Sequence, residues 1–225
     1  MKVEILYRPS YSLGVVTLEP NEQIQAEAGA MVSMSEGIKV ETKAEGGLLK
    51  SLSRAVLGGE SFFQNFYKAP PQGGEITFAP DLPGDIFTLT LKNERLLVQS
   101  GSYLASERGI EINAKLSLKA FDAMEGLSIL EISGSGQLLL SSYGAIHEKV
   151  LGAGETYIVD STHLVAFSAD MKVTDKPVGG LKSTLFSGEG FVVQLSGPGR
   201  ILLQTRSPRA FLDWLIPKLP HNNNQ

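Results

Sequence analysis

The chain has 225 residues, of which 42% are hydrophobic, and it carries 20 basic against 24 acidic side chains for a net charge of −4. This length suits one large all-β domain or two small ones, and the acidic balance argues against nucleic acid or an anionic membrane as a dedicated partner, because such surfaces need excess positive charge. The absence of cysteine excludes disulfides, thiolate metal sites and a cysteine nucleophile.

Alternating apolar and polar residues predict strands along much of the chain. The segments "IKVETK" from Ile38, "FTLTL" from Phe87 and "IEINAKLSLKAF" from Ile110 have the period of two that a half-buried strand shows. Two further segments, "ISGSGQLLL" from Ile132 and "LSGPGRILL" from Leu195, predict a strand, a glycine-rich turn and a second strand. The pattern is that of an all-β protein.

An insertion helix is predicted over residues 48–57, in "LLKSLSRAVLGG". Its spacing places four apolar side chains on one stripe, namely Leu48, Leu49, Leu52 and Val56. The protein's own core, another chain or a membrane surface could cover this stripe, and the sequence leaves the three alternatives open.

A second helix is predicted at the C-terminal end, over residues 208–219. Ser207 is a suitable N-cap, Pro208 suits the first helical position, and Pro217 limits the run. We expect this helix to cover an edge or an end of the β-structure.

The chain contains an internal repeat. Shifting it by 133 positions lays residues 17–48 on residues 150–181 without a gap, and ten residues of the first segment find an identical partner: Leu18, Glu22, Val32, Ser35, Lys39, Val40, Lys43, Gly46, Gly47 and Leu48. A middle copy is shifted by 72 positions, since "SGSYLASERGIEIN" from Ser100 is similar to "AGAMVSMSEGIKVE" from Ala28. In the second half of each unit, Glu60, Glu125 and Glu189 follow one another at offsets of 65 and 64, and we expect them to begin equivalent strands.

The repeat predicts three units of approximately 1–72, 73–136 and 137–207 within one compact domain spanning residues 1–225. A unit of about 60 residues made of a few strands buries its apolar face poorly alone. We therefore expect three double-stranded β-helix or β-sandwich units in a pseudo-threefold arrangement, followed by the C-terminal helix.

Three motifs in order resemble a known family: "GGESFFQNFY", "GGEITFAPDLPGDI" and "QSGSYLASE". They are similar to those of the altered inheritance of mitochondria protein 24 family and its bacterial members. The resemblance covers nearly the whole chain and implies a fold like that of the trp RNA-binding attenuation protein, in three copies. It also implies a link to mitochondrial biogenesis in the mitochondrial members and no settled activity in the bacterial ones, which this chain resembles more because it shows no transit peptide.

The sequence gives little support for a metal site, a catalytic site or an RNA-binding site. The three histidines, His147, His163 and His221, form no ligand pair, so we expect no metal and no cofactor. Glu75, Asp81 and Asp85 are close in sequence and could serve acid/base chemistry, although aspartates beside Pro83-Gly84 are more typical of a turn. Basic residues do not recur through the three units, which argues against RNA binding.

The densest aromatic run comprises Phe62, Phe63, Phe66 and Tyr67. With the stripe on the insertion helix it forms the candidate interaction surface, although aromatic side chains of one strand also commonly fill a core.

These observations predict a non-catalytic interaction or scaffold protein. We expect it to be a cytoplasmic homo-oligomer without a transmembrane helix, with a protein partner or a membrane surface as a further contact. The alternative is a small-molecule-binding protein or weak enzyme with a pocket between repeat units.

Overall fold

The structure is a computed structural model that describes residues 1–43, 64–115, 129–175 and 192–220. Several positions singled out in the sequence lie outside the described residues: the helix predicted over residues 48–57, Phe62, Phe63, Glu60, Glu125 and Glu189.

The described residues are mostly β-structure, as the alternating pattern predicted. The strands are β1 (Lys2–Leu6), β2 (Leu13–Leu18), β3 (Gln23–Glu27), β4 (Met31–Met34), β5 (Lys39–Lys43), β6 (Gln64–Lys68), β7 (Gly74–Phe78), β8 (Ile86–Gln99), β9 (Tyr103–Glu107), β10 (Ile110–Lys115), β11 (Ile129–Ser141), β12 (Ile146–Leu151), β13 (Thr156–Asp160), β14 (Leu164–Ser168), β15 (Lys172–Asp175), β16 (Val192–Ser196) and β17 (Gly199–Gln204). In β2, Gly14, Val16 and Leu18 are buried and the residues between them are not, so one face of the strand meets the core.

The strands form three antiparallel sheets. The largest has the order β12-β17-β14-β8-β11-β9-β3-β6-β5, with β10 also pairing with β11. A second sheet has the order β1-β2-β7-β4, and a third has the order β13-β16-β15. The longest strands, β8 and β11, pair from Ile86 opposite Ser141 to Gln99 opposite Ile129.

The segment "ISGSGQLLL" does not form the predicted turn. It lies within the single strand β11, whose register against β8 shifts between Gly134 and Ser135. Gly134 and Gly136 have φ of 119° and 143°, values that glycine adopts readily, so the two glycines allow a β-bulge without ending the strand. The other segment predicted as strand, turn and strand, "LSGPGRILL", does form two strands, β16 and β17.

The core consists of three clusters of buried apolar side chains. The first includes Val16, Ile24 and Phe78, the second Val98, Tyr103 and Leu140, and the third Phe167, Val193 and Ile201. Each cluster draws on strands distant in sequence, so burial of apolar surface ties the three sheets together.

The C-terminal helix, α1 (Pro208–Leu215), begins where it was predicted. The N–H of Ala210 donates to the Ser207 hydroxyl at 3.2 Å, and Pro208 occupies the first turn. The α-helix ends before residue 219, since a 3₁₀ turn (Ile216–Lys218) containing Pro217 takes over. None of its residues is buried. In the described part of the chain, no helix is long and apolar enough to cross a membrane.

Candidate interaction surfaces

The described part of the predicted aromatic surface packs mainly inward. Tyr67 on β6 is 1% exposed and meets Phe78 edge-on, with ring centroids 5.7 Å apart. Phe66 is half-buried. Tyr67 is therefore a core residue and does not contribute to a surface, while the four leucine and valine positions of the predicted helix remain a sequence prediction.

The three acidic residues considered for catalysis have different surroundings. Glu75 lies on β7, where its N–H donates to the Ser35 hydroxyl at 2.9 Å, and Asp81 is exposed. Asp85 is buried, and its carboxylate accepts two hydrogen bonds of 2.8 Å from Arg8 and one of 2.9 Å from the Ser12 hydroxyl.

The electrostatics of Asp85 fit a structural role. Burial raises the pKa of the Asp85 carboxyl, but the hydrogen bonds from Arg8 and Ser12 outweigh it, and the pKa lies below its usual value. A carboxylate held ionised by a guanidinium is a poor general base near neutral pH. Asp85 thus anchors the segment before β2 to the start of β8.

Two of the three histidines, His147 and His163, lie among the described residues. Nδ1 of His163 lies 2.7 Å from the carbonyl oxygen of Gln204, and His147 is exposed on β12. Within residues 1–43, 64–115, 129–175 and 192–220, no three His, Cys, Asp or Glu side chains are grouped as metal ligands would be.

A cleft of about 220 Å³ lies where distant parts of the chain meet. Its walls include Glu27, Asp81, Ser142 and Gln204. The Gln204 amide is already satisfied, because its Oε1 accepts from the N–H of Tyr143 at 3.0 Å and its Nε2 donates to the Thr162 carbonyl at 2.9 Å. Of the two carboxylates among the described residues that line the cleft, Glu27 is half-buried and Asp81 is exposed.

Several sheet edges among the described residues expose apolar side chains: β5 and β12 expose one each, Val40 and Val150, whereas β4 and β13 expose more than one. All four residues of β4 are exposed, including Met31, Val32 and Met34, and β13 exposes Tyr157 and Ile158. β4 is the last strand of one sheet and β13 the last strand of another. Unpaired backbone groups beside apolar side chains make an edge able to pair with a further strand.

A third apolar area is on α1. Phe211 stacks against Trp214 with ring centroids 6.2 Å apart and meets Tyr143 edge-on at 6.1 Å. Nζ of Lys218 lies 5.0 Å from the Trp214 ring centroid. The helix therefore touches the turn before β12 through Phe211 and leaves Leu212 and Trp214 exposed.

The sequence analysis did not identify β4 and β13 as exposed apolar edges. The signal was present in "MVSM" and "TYIVD", because these short segments lack the polar alternation that a strand with one solvated face requires. It also did not find Arg8 as the partner of Asp85, since 77 residues separate them.

A family model described as "Mitochondrial biogenesis AIM24" matches residues 3–206. An uncharacterized protein of Streptococcus pyogenes serotype M6 is 27% identical over 224 residues, covering 95% of this chain and 89% of that protein.

Two further similarities extend the comparison. The mitochondrial altered inheritance of mitochondria protein 24 of Verticillium alfalfae is 28% identical over 174 residues, which cover 74% of this chain and 43% of that protein. A crystal structure of a Streptococcus pyogenes protein superimposes with a TM-score of 0.80 and 26% identity, covering 97% of this chain and 99% of that one. The architecture is therefore shared over nearly the whole length of both chains.

Proposed function

The chain belongs to the mitochondrial biogenesis AIM24 family. We propose that it is a non-catalytic interaction or scaffold protein that associates with copies of itself. A cytoplasmic location is part of the proposal and is compatible with a chain that contains no cysteine.

The observation that carries the proposal is the pair of apolar edges β4 and β13. Val32 is 57% exposed and Ile158 is 56% exposed, although both are in strands. Neither edge strand contains proline or lysine, the residues with which sheet edges commonly resist association. Exposed apolar strand edges favour a protein that pairs with another chain.

A body of three repeated units is the architecture we propose for this scaffold. The pattern of strand pairing supports this architecture. In the first unit β2 pairs with β7 and β3 with β6, and in the third unit β12 pairs with β17 and β13 with β16. In the middle of the chain the two long strands β8 and β11 pair along their length and take the place of both pairs. The register slips at Val32, Leu104 and Val165, three positions that the shifts of 72 and 133 make equivalent.

A matching turn gives further support. The carboxylate of Glu22 accepts from the N–H of Glu19 at 2.8 Å, and that of Glu155 accepts from the N–H of Gly152 at 2.7 Å. Both acidic residues and both donors are 133 positions apart. Local hydrogen bonding therefore repeats along with strand order.

Sedimentation velocity of the full chain over a wide range of concentrations tests the proposal. We expect a mass above that of the 24.2 kDa monomer, rising with concentration. Affinity capture from the native cells identifies other partners, including membrane fractions. A monomer at every concentration that captures nothing would contradict the scaffold function.

The second candidate is a small-molecule-binding protein that would use the cleft, and the size of the cleft counts against it. Its volume of about 220 Å³ is below the usual range of ligand pockets, roughly 300 Å³ and above. A thermal-shift screen of small polar metabolites, repeated on Ser142→Trp to fill the cleft, distinguishes the two. Stabilisation that the filled variant loses would favour the second candidate over the scaffold.

A further inference from the structure

Strands from successive parts of the chain pair with each other at two places, and each such pairing is called a joint. The two joints are built in the same way. β9 pairs with β3, placing Ala105 opposite Ala26 and Ser106 opposite Gln25. β14 pairs with β8, placing Ala166 opposite Val98 and Phe167 opposite Leu97. In each joint a strand that follows a 3₁₀ turn pairs with the edge of a strand from the preceding part of the chain.

The two joints have the same register. Val98 is equivalent to Ala26 under the repeat shift of 72. Ala105 and Ala166 are both equivalent to Ser33, under the shifts of 72 and 133, so both joints place equivalent residues opposite each other. This equivalence therefore defines a third joint. Adding 133 to Ala26 gives Val159, so Val159 on β13 would lie opposite Ser33 on β4.

The strands of this third joint do not meet within the chain. Among the described residues, β4 pairs with β7 and β13 pairs with β16, and the two belong to different sheets. Val32 on β4 and Ile158 on β13 are exposed, whereas their equivalents in the two existing joints, Leu104 and Leu97, are only 1% and 2% exposed. The difference is what a missing partner strand would produce.

We propose that β13 of one chain pairs with β4 of a second copy, with Val159 opposite Ser33, Ile158 opposite Met34 and Tyr157 opposite Ser35. The inference rests on the proposed self-association and names its surface. We assign the partner as another copy because the chain already pairs strands equivalent to β13 with strands equivalent to β4 twice, at β3–β9 and β8–β14, with the same register. The interface is heterologous, since two different patches meet, so the copies assemble head to tail into a ring or an open string.

Cysteine cross-linking tests the register. The chain contains no cysteine, so each introduced thiol is unique. Directly opposite residues of antiparallel strands have Cα atoms about 4.5–5.5 Å apart, which a disulfide can bridge. We expect mild oxidation of mixed Met34→Cys and Ile158→Cys chains to give a covalent dimer. Val150→Cys, exposed on β12, is the matched control and should give none with Met34→Cys.

Charge placed on one edge tests the head-to-tail geometry. Met34→Lys and Ile158→Lys each block one edge and leave the other intact, so each variant alone should sediment as a monomer that still unfolds cooperatively, with a melting temperature that no longer rises with concentration. Their mixture should form a dimer and stop there, because one intact β13 and one intact β4 remain. Val150→Lys should associate as the wild-type chain does.

The outcomes separate this inference from the proposed function. An oligomer that persists in both lysine variants and gives no cross-link overturns the β4–β13 joint and leaves the scaffold function standing. A wild-type chain that is monomeric at every concentration overturns self-association itself. Loss of a captured foreign protein in Ile158→Lys, from a chain that stays monomeric, identifies the edge as that protein's site and overturns the second copy as occupant.

Discussion

Arg8 holds the Asp85 carboxylate with two hydrogen bonds, from Nε to Oδ1 and from Nη2 to Oδ2, each 2.8 Å long. The guanidinium is half exposed, whereas the carboxylate is almost fully covered. The N–H of Ile86 and the hydroxyl of Ser12 add bonds of 2.9 Å to the same carboxylate oxygen. This group joins the segment between β1 and β2 to the first residue of β8.

Arg8→Met should lower the free energy of unfolding by about 2 kcal/mol. Breaking a buried ion pair costs roughly 3–5 kcal/mol, and the exposure of Arg8 reduces that figure. Urea denaturation measures the change. Arg95→Met is the control, because half-exposed Arg95 pairs with exposed Asp170 and, at 3.8 Å, with Glu131, and such surface pairs should together contribute about 1 kcal/mol or less. Equal losses in the two variants would show that the buried Asp85 site is not special.

Acid should weaken the Arg8–Asp85 contribution. The folded-state pKa of Asp85 is depressed, so the stabilisation is complete above the unfolded value of about 3.9 and is lost as the pH falls through the folded pKa. Melting temperatures of the wild-type chain and Asp85→Asn should therefore differ most near neutral pH and converge in acid. A difference that stays constant from pH 7 to below the folded pKa would contradict the assigned ionisation.

Gly84→Ala should destabilise the protein strongly. A Cβ at this position would lie 1.6 Å from the Ser142 carbonyl oxygen, where Gly84 bridges to Gly144. Relieving the overlap requires backbone shifts, which typically cost about 1–3 kcal/mol or more. Gly101→Ala is the matched control because its Cβ would meet nothing within 4 Å. Thermal melts compare the two, and a Gly84 variant as stable as the control would contradict the close approach.

Gln25→Leu should cost about 1–3 kcal/mol through lost hydrogen bonds. Its Nε2 donates to the Ser106 hydroxyl at 2.9 Å and to the Ile110 carbonyl at 2.6 Å, both in buried surroundings. Leucine at this position leaves both acceptors without that donor. Gln72→Leu, at an exposed position, should change the unfolding free energy by less than about 0.5 kcal/mol in the same denaturation experiment. A neutral Gln25 variant would show that the polar joint between β3 and β9 adds no stability.

The sequence predicted the strands better than it predicted their partners. Alternation in "IKVETK" and "IEINAK" predicted β5 and β10, and Ser207 with Pro208 marked the start of α1, because these signals are local. The bulge at Gly134 was mistaken for a turn, since a glycine-rich segment permits both and the choice depends on β8 lying opposite.

The surfaces could not be predicted for a related reason. Periodicity tells which face of a strand is buried, but it does not tell whether the edge of β4 or β13 is paired. Tyr67 and Phe66 are neighbours in one aromatic run, and only the packing of Phe78 shows that Tyr67 faces the core. Long-range geometry decided both questions.

The joint between β3 and β9 also matters while the protein is being made. Gln25 leaves the ribosome 81 residues ahead of Ser106. At about 5–20 residues per second, that interval lasts roughly 4–16 s. Phe66 of β6, which lies opposite Gln25, is made 41 residues after it, and from then until β9 emerges β3 can have β6 on one side and an open edge on the other. Nascent chains are therefore most vulnerable to wrong pairing before β9 emerges, and a chaperone that shields β3 during this interval would raise the yield of folded protein.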